Sequence, residues 1–371
     1  MENSFLHFEF DLFRIIYADK ITKHSVPHPI ISPYSIGICL SYLSNLVQSD
    51  TARLEIKKAL HYNSHDYSIF LSAIKEFESR VDHSTTSDVF KTANIIFTDI
   101  DTSNMSENQV GILPEIMNYS ILDSTSSTIN KAVKSKTSGR ISKLVNPMTK
   151  PSHNSIVMSS ISLFEGLWKQ PFNSYFHHSF HGFDKRYSIP MLQMNSAEVL
   201  YTEDKTCFAI SIPFLKYDFS FVAILPRKKS FKKFVKFLKE FNEKKFLQIM
   251  DSLQPKTMNV IIPKFKIETS SFDLMNYVHE FGINHKLVMP HNRNFSQFCQ
   301  KCVFELNEFG TVPLTEVHNT ESQNMSIICE KLKSDKTSFK RPFVYFLVKN
   351  NPKVVLLSGT FTKPTTEEYS D

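Results

Sequence analysis

Glycine is scarce in this chain, eight in 371 residues. Few left-handed turns can be supported, and no Walker loop or dinucleotide fingerprint is present. A Gly-x-Ser-x-Gly nucleophile elbow is also absent. The five cysteines, Cys39, Cys207, Cys299, Cys302 and Cys329, cannot all pair within one chain, which favours free thiols and a reducing compartment over a disulfide framework. No segment approaches the ~18 consecutive apolar residues of a membrane span. The start, Met1-Glu2-Asn3-Ser4-Phe5 with Glu9 and Asp11 close behind, lacks the basic opening and apolar run of a cleavable leader. The expectation is a cytoplasmic protein, or one exported without such a leader. Asn-x-Ser sequons at Asn104, Asn118, Asn294 and Asn324 would matter only on a secretory route.

A net charge of +6 is modest for this length and gives no footprint of a nucleic-acid binder. The excess is concentrated: Arg227, Lys228, Lys229, Lys232, Lys233 and Lys236 interleave with Phe231, Phe234, Phe237 and Leu238. That spacing predicts a helix with an apolar core face and a basic solvent face. A heparin-like polyanion is the partner such a face would suit.

What is abundant is apolar and aromatic, 41% hydrophobic residues with 33 phenylalanines, enough for a large core. Residues 4 to 18 space Phe5, Phe8, Leu12, Phe13, Ile15 and Ile16 as an amphipathic helix. Ser32-Pro33 reads as a capping serine followed by proline at the first helical position, opening a helix through Ile36, Leu40 and Leu43. Further helices are expected from residue 50 or 51 to Leu60, weakly over 66 to 80, and from Ile129 to Leu144. Strands are expected at 93 to 97, 156 to 158, 208 to 212, 219 to 225, 258 to 262 and 354 to 357, with helices at 230 to 250 and 272 to 281. Segregated helices and strands indicate an α+β fold, and with no repeat or linker one continuous domain, 1 to 371, is expected.

Two clusters could carry metal or redox chemistry. His177-His178-Ser179-Phe180-His181 has no acid or cysteine at matching spacing and is expected on a surface loop, without metal. Cys299-Gln300-Lys301-Cys302 is expected to precede a strand rather than open a helix, where amide dipoles would lower a thiol pKa. No cofactor is expected. The stretch with the strongest functional reading is 306 to 342, a long polar segment between two strand-like runs, Val303 to Leu306 and Phe343 to Val348.

Several collinear motifs resemble one family. Leu306-Asn307-Glu308-Phe309-Gly310-Thr311 is similar to the Val-Asn-Glu-Glu-Gly-Thr that opens the reactive loop of serpins. Ile31-Ser32-Pro33-Tyr34-Ser35-Ile36 and Leu163-Phe164-Glu165-Gly166-Leu167-Trp168-Lys169-Gln170-Pro171-Phe172 resemble further serpin signatures. So do Ile129-Asn130-Lys131-Ala132-Val133 with Thr137-Ser138-Gly139-Arg140-Ile141, Ile189 to Met194, Ile262 to Glu268, and Arg341-Pro342-Phe343. The resemblance spans about residues 5 to 363 and looks most like the leaderless, ovalbumin-type branch.

It implies the serpin fold, three β-sheets with about eight or nine helices, an exposed reactive-centre loop at 309 to 338 and a short tail at 364 to 371. It implies a monomeric suicide inhibitor of a serine protease, or a cysteine protease, that is consumed rather than a catalyst. Counting from Glu308 places the scissile bond at Asn324-Met325. The hinge would comprise Glu308, Gly310, Thr311 and Pro313, and Trp168 would lie at the breach where the loop enters. Ser35, Ser160 and Gln300 would form the network beneath the parting strands, with Ser160 aligned to the family's asparagine and Gln300 to its histidine. Pro313 lacks an amide proton and suits a central strand poorly. A non-inhibitory serpin acting as a binding or carrier protein is therefore the alternative.

Overall fold

The computed structural model describes residues 2–19, 30–62, 72–77, 79, 89–98, 115–118, 125–136, 139, 141, 155–216, 218–268, 272–284, 286–289, 293–311 and 338–364. Contacts group the chain into two compact units, each drawn from several separate stretches of sequence. The first unit comprises 1–9, 31–163 and 269–303, and the second 10–30, 164–268 and 304–371.

In the first unit, helix α1 (Glu2–Arg14) contributes its opening turns. Helix α2 (Pro33–Leu46) follows Ser32, whose side chain accepts from the Ser35 amide with Pro33 in the first turn, as the sequence predicts. It is buried almost throughout, so it is apolar on every side rather than striped. Gly37 makes room for α1, since a Cβ there would lie 2.7 Å from the Phe5 ring. Helix α3 (Asp50–Ala59) is capped by Ser49, and α4 spans Thr125–Lys136.

The sheet of this unit is built from β1 (Phe90–Thr98), β2 (Glu115–Asn118), β3 (Ser155–Phe164), β10 (Phe272–Asp273), β11 (Val288–Met289) and β12 (Arg293–Leu306). Its order is β10-β12-β3-β1-β2, with β11 also on β12. At its centre β12 and β3 are parallel and directly paired, from Asn294 opposite Ser155 to Val303 opposite Leu163.

The second unit is organised around β4 (Ser174–His181), β5 (Arg186–Glu203), β6 (Cys207–Pro213), β7 (Phe219–Pro226), β8 (Gln254–Pro263), β13 (Phe343–Lys349) and β14 (Val354–Phe361), in the order β14-β13-β7-β6-β5-β4 with β8 on β5; the short β9 (Phe265–Glu268) follows β8 in the chain. Strand β5 pairs with β4 from Arg186 to Gln193, with β8 from Met191 to Tyr201 and with β6 from Leu200 to Glu203. One strand thereby joins what a shorter one would leave as separate sheets. The pairing shifts between Met194 and Ala197, where Ser196 takes φ +50°. Every residue of β7, β13 and β14 is buried. Phe10, Phe13, Phe241, Phe246 and Phe346 form one ring cluster, each worth about 1.5–3 kcal/mol of burial.

Four expectations are corrected. The predicted helix at 230 to 250 is two helices, α5 (Phe231–Glu240) and α6 (Glu243–Asp251), because Asn242 interrupts the run and caps α6 through the Lys245 amide. The predicted helix at 272 to 281 is instead β10 and two short 3-10 turns, because Phe272 and Asp273 pair with Gln300 and Cys299 of β12 and the Asp273 carboxylate also accepts from the Phe298 amide, tying the segment to that strand. The histidine run lies in β4, not on a loop. Cys299 and Cys302 lie inside β12 rather than before a strand, and an offset of three puts their side chains on opposite faces. Burial pushes both thiols up, Cys299 to about 12. Among the described residues no helix is long and apolar enough to cross a membrane.

Candidate functional site

The site in the second unit begins where β12 stops. Asn307 ends the strand by an Asx turn: its side-chain oxygen accepts from the Phe309 and Gly310 amides at 3.0 and 3.1 Å, while its Nδ2 donates to Glu305 at 3.0 Å. The Asn307 N–H donates to the Gly310 carbonyl at 2.9 Å. The chain thus reverses within four residues. Gly310 sits at φ +154°, where a Cβ would fall 2.0 Å from the Gly166 carbonyl oxygen. No side chain fits between two backbones this close.

Residues 166 to 172 hold the turn from the other side. The Trp168 and Phe172 amides donate to the Phe309 and Glu308 carbonyls at 2.8 and 2.9 Å. Trp168 Nε1 donates to the Asn307 carbonyl at 3.0 Å, and its ring stacks on Phe214 at 4.4 Å. Thr311 is fixed twice: its amide donates to Gly166 O at 2.8 Å, and its hydroxyl accepts from the Gly166 amide at 2.8 Å. Glu308 is buried, with its carboxylate 2.8 and 3.0 Å from Lys264 Nζ. A buried carboxylate needs such a partner.

Glu308, Gly310, Thr311 and Trp168 are thus brought together in one bonded cluster. Pro313, Asn324 and Met325 lie outside the described residues, as do 365 to 371 of the tail. Sequence reasoning had Asn307 in the hinge motif but missed Gly166 and Lys264 as members. Lys264 carried a signal, a lone charge after Ile261-Ile262-Pro263 and before Phe265.

The second set of expected residues belongs to the first unit. Gln300 brackets the start of α2: its Oε1 accepts from the Ser32 amide at 3.0 Å and its Nε2 donates to the Ser32 carbonyl at 3.1 Å. Ser35 Oγ lies 3.0 Å from Ser32 Oγ and 2.8 Å from Ser162 Oγ. The Ser160 hydroxyl is fully buried and has no hydrogen-bond partner among the described residues. The hydroxyl joined to Ser35 is therefore that of Ser162, two residues further along β3 and on the same face by strand alternation. That periodicity is the signal that would have found Ser162.

On the basic face, Arg227 pairs with Glu203 and Lys236 with Glu240 at 3.4 Å. Lys228, Lys229, Lys232 and Lys233 are exposed, with no carboxylate partner among the described residues.

A sheet ordered β10-β12-β3-β1-β2 with a parallel central pair, and a pinned hinge directly after β12 in the chain, is the arrangement of the serpin class of fold. The family model described as Serpin (serine protease inhibitor) matches residues 3–364, and the chain belongs to this family. It is 21% identical to a leukocyte elastase inhibitor of Xenopus laevis, covering 96% of this chain and 98% of that one. It is 24% identical to serine proteinase inhibitor 1 of Monkeypox virus, over 94% and 99% of the two chains. Among solved structures, native protease nexin-1 with heparin is similar at a TM-score of 0.78 and 22% identity, over 98% of this chain and 99% of that one.

Proposed function

We propose that this chain is a single-use trap for a serine endopeptidase, working as a monomer and consumed rather than turning over. A protease cleaves a bond between 312 and 337, with Asn324-Met325 favoured by its spacing from Glu308. The released strand, still attached through Thr311, then adds to the sheet between β3 and β12.

The observation that carries this reading is the direct β3–β12 ladder. The pair is parallel, and the chain reverses at Asn307–Gly310, so a strand inserted from beyond that turn would run opposite to β12. A returning strand is therefore antiparallel to β12 and, because β3 runs with β12, antiparallel to β3 as well. One slanted parallel ladder would be exchanged for two antiparallel ladders, which favours the inserted state.

Pro313 opposes this by about 1–3 kcal/mol for a lost or strained ladder bond, and insertion must outrun hydrolysis of the acyl-enzyme. A second reading, a non-inhibitory binding or carrier serpin, is favoured by that proline and by the altered seam, where Ser160 has no partner and Gln300 cannot gain charge. Incubation with elastase-like and trypsin-like proteases, followed by denaturing electrophoresis, separates the two. A complex stable in detergent is expected. Clean loop cleavage with fully active protease would sink the trap and leave the carrier reading.

The reading includes a heparin-like polyanion partner, supported by the exposed lysines of α5. It also places the protein in a reducing, cytoplasmic setting. Cys207, Cys299 and Cys302, buried thiols whose pKa values burial pushes up, support that setting.

A further inference from the structure

The second unit contains a cavity of about 740 Å³. It lies where β5 changes partners. From Leu200 onward β5 is laddered to β6, but Ile212 and Pro213 of β6 are no longer paired to it, and the Glu198 amide is met by Gln170 Oε1 at 3.2 Å instead of by a strand. The same stretch of β5 keeps β8 on its other edge, with Leu200 opposite Pro255. The cavity takes in the resulting gap, and Met250 in the last turn of α6 and Leu253 just after it add apolar wall.

Its lining has three chemistries. Leu200 stands opposite Ser211 and Pro213 opposite Ser220, so these four share one face of the ladder. On that face Leu200 is left 38% exposed. Ser220 is satisfied, because Asn350 Nδ2 donates to its hydroxyl at 3.1 Å. Ser211 is not: it is 1% exposed, it lines the cavity, and its hydroxyl makes no hydrogen bond among the described residues. A buried hydroxyl calls for a partner, and the open side of this one is the cavity. Lys169, Lys256 and Lys353 line the space against a single acid, Glu198. The Lys169 amide donates to the Pro213 carbonyl at 3.1 Å, which sets that residue beside the apolar wall. Lys353 lies 2.9 Å from Asp251, whose carboxylate is exposed and screened by solvent, and Lys256 stands over the Tyr201 ring at 4.1 Å. No aromatic residue lines the cavity, so a base or sugar finds no face to stack on, and the excess of lysine disfavours a cation.

We propose that this cavity binds a small amphipathic carboxylate with a second polar group at the far end of its apolar body. The acid group meets Lys169 and Lys353, the body lies along Leu200, Pro213, Met250 and Leu253, and the far polar group bonds to the Ser211 hydroxyl. A volume of this size suits a single ligand of drug-like dimensions, with apolar walls for affinity and a few polar groups for orientation. The site goes beyond both readings of the loop and holds for a trap and a carrier alike. Its occupant is also within reach of a reporter, since Pro213 precedes Phe214, on which the Trp168 ring stacks.

The test is calorimetric titration of the full chain with ω-hydroxydodecanoate, its methyl ester and plain dodecanoate, each below its micelle concentration. One hydroxy acid is expected to bind per chain, with Trp168 emission shifting at the same half-saturation. The ester is expected to bind about tenfold or more weakly, having lost its charge beside two lysines, and dodecanoate about fivefold more weakly for one missing hydrogen bond. K169Q/K353Q, with an unchanged melting temperature, is expected to lose the preference for acid over ester. S211A is expected to lose the preference for the hydroxy acid over dodecanoate while still binding both. L200W/M250W, which places two rings in the cavity, is expected to abolish binding in the calorimeter. No saturable binding at millimolar ligand overturns the inference, as does undiminished binding by L200W/M250W, which would put the ligand elsewhere. Equal affinity for acid and ester overturns the ligand class, and a hydroxyl preference that survives in S211A overturns the assigned orientation.

Discussion

The hinge and the seam beneath β3 and β12 are both buried and polar, yet they are finished to different degrees. At the hinge, Asn307 uses both ends of its amide, Glu308 has its lysine, and Thr311 is bonded through amide and hydroxyl. At the seam, Ser35 and Gln300 are bonded, but the hydroxyls of Ser159 and Ser160 have no partners among the described residues. A buried orphan costs about 1–3 kcal/mol, so the seam is held less tightly than its burial suggests. The difference teaches where resistance to opening resides: the turn that feeds the loop is over-determined, and the strands that must part are not.

Four substitutions break or sharpen that contrast. Gly310→Val carries the largest expected effect, a loss of about 4 kcal/mol or more, because its Cβ meets a carbonyl oxygen at 2.0 Å. Urea denaturation measures it, and Trp168, the one tryptophan, reports the hinge by fluorescence. Lys264→Met is expected to cost about 3 kcal/mol by stranding the Glu308 carboxylate. Adding Glu308→Met should recover a large part of that loss, and a double-mutant cycle showing no coupling would remove the ion pair from the account. Ser35→Ala is expected to cost about 1–2 kcal/mol, since Ser162 loses its 2.8 Å partner. Ser160→Ala is expected to be neutral or to gain up to about 1 kcal/mol. A cost above 2 kcal/mol there would mean that the hydroxyl is satisfied and that the contrast between the two regions fails.

Part of this was legible in the residues. Ser32-Pro33 announced both the start and the cap of α2, and Asn307 through Thr311 announced a hinge, because such motifs act through their own backbone. The pairing of Lys264 with Glu308 was not legible, since the two are far apart in sequence and meet only when Pro263-Lys264 is laid beside the turn. The strands β4 and β5 went unread because histidine and serine dilute the aromatics of β4 and Pro190 interrupts the apolar run Ile189 to Met194 of β5. Ser162 was passed over for Ser160 because alignment follows residue order, whereas hydrogen bonds follow the reach of a short hydroxyl from Ser35.

The sequence by itself determined the α+β class, the family and the position of the hinge, for local reasons: capping, periodicity, and motifs read in order. Only the tertiary structure decided which hydroxyl meets Ser35 and which cation neutralises Glu308. These are contacts between distant segments, fixed by the packing of strands and helices around a common core, and no local pattern encodes them.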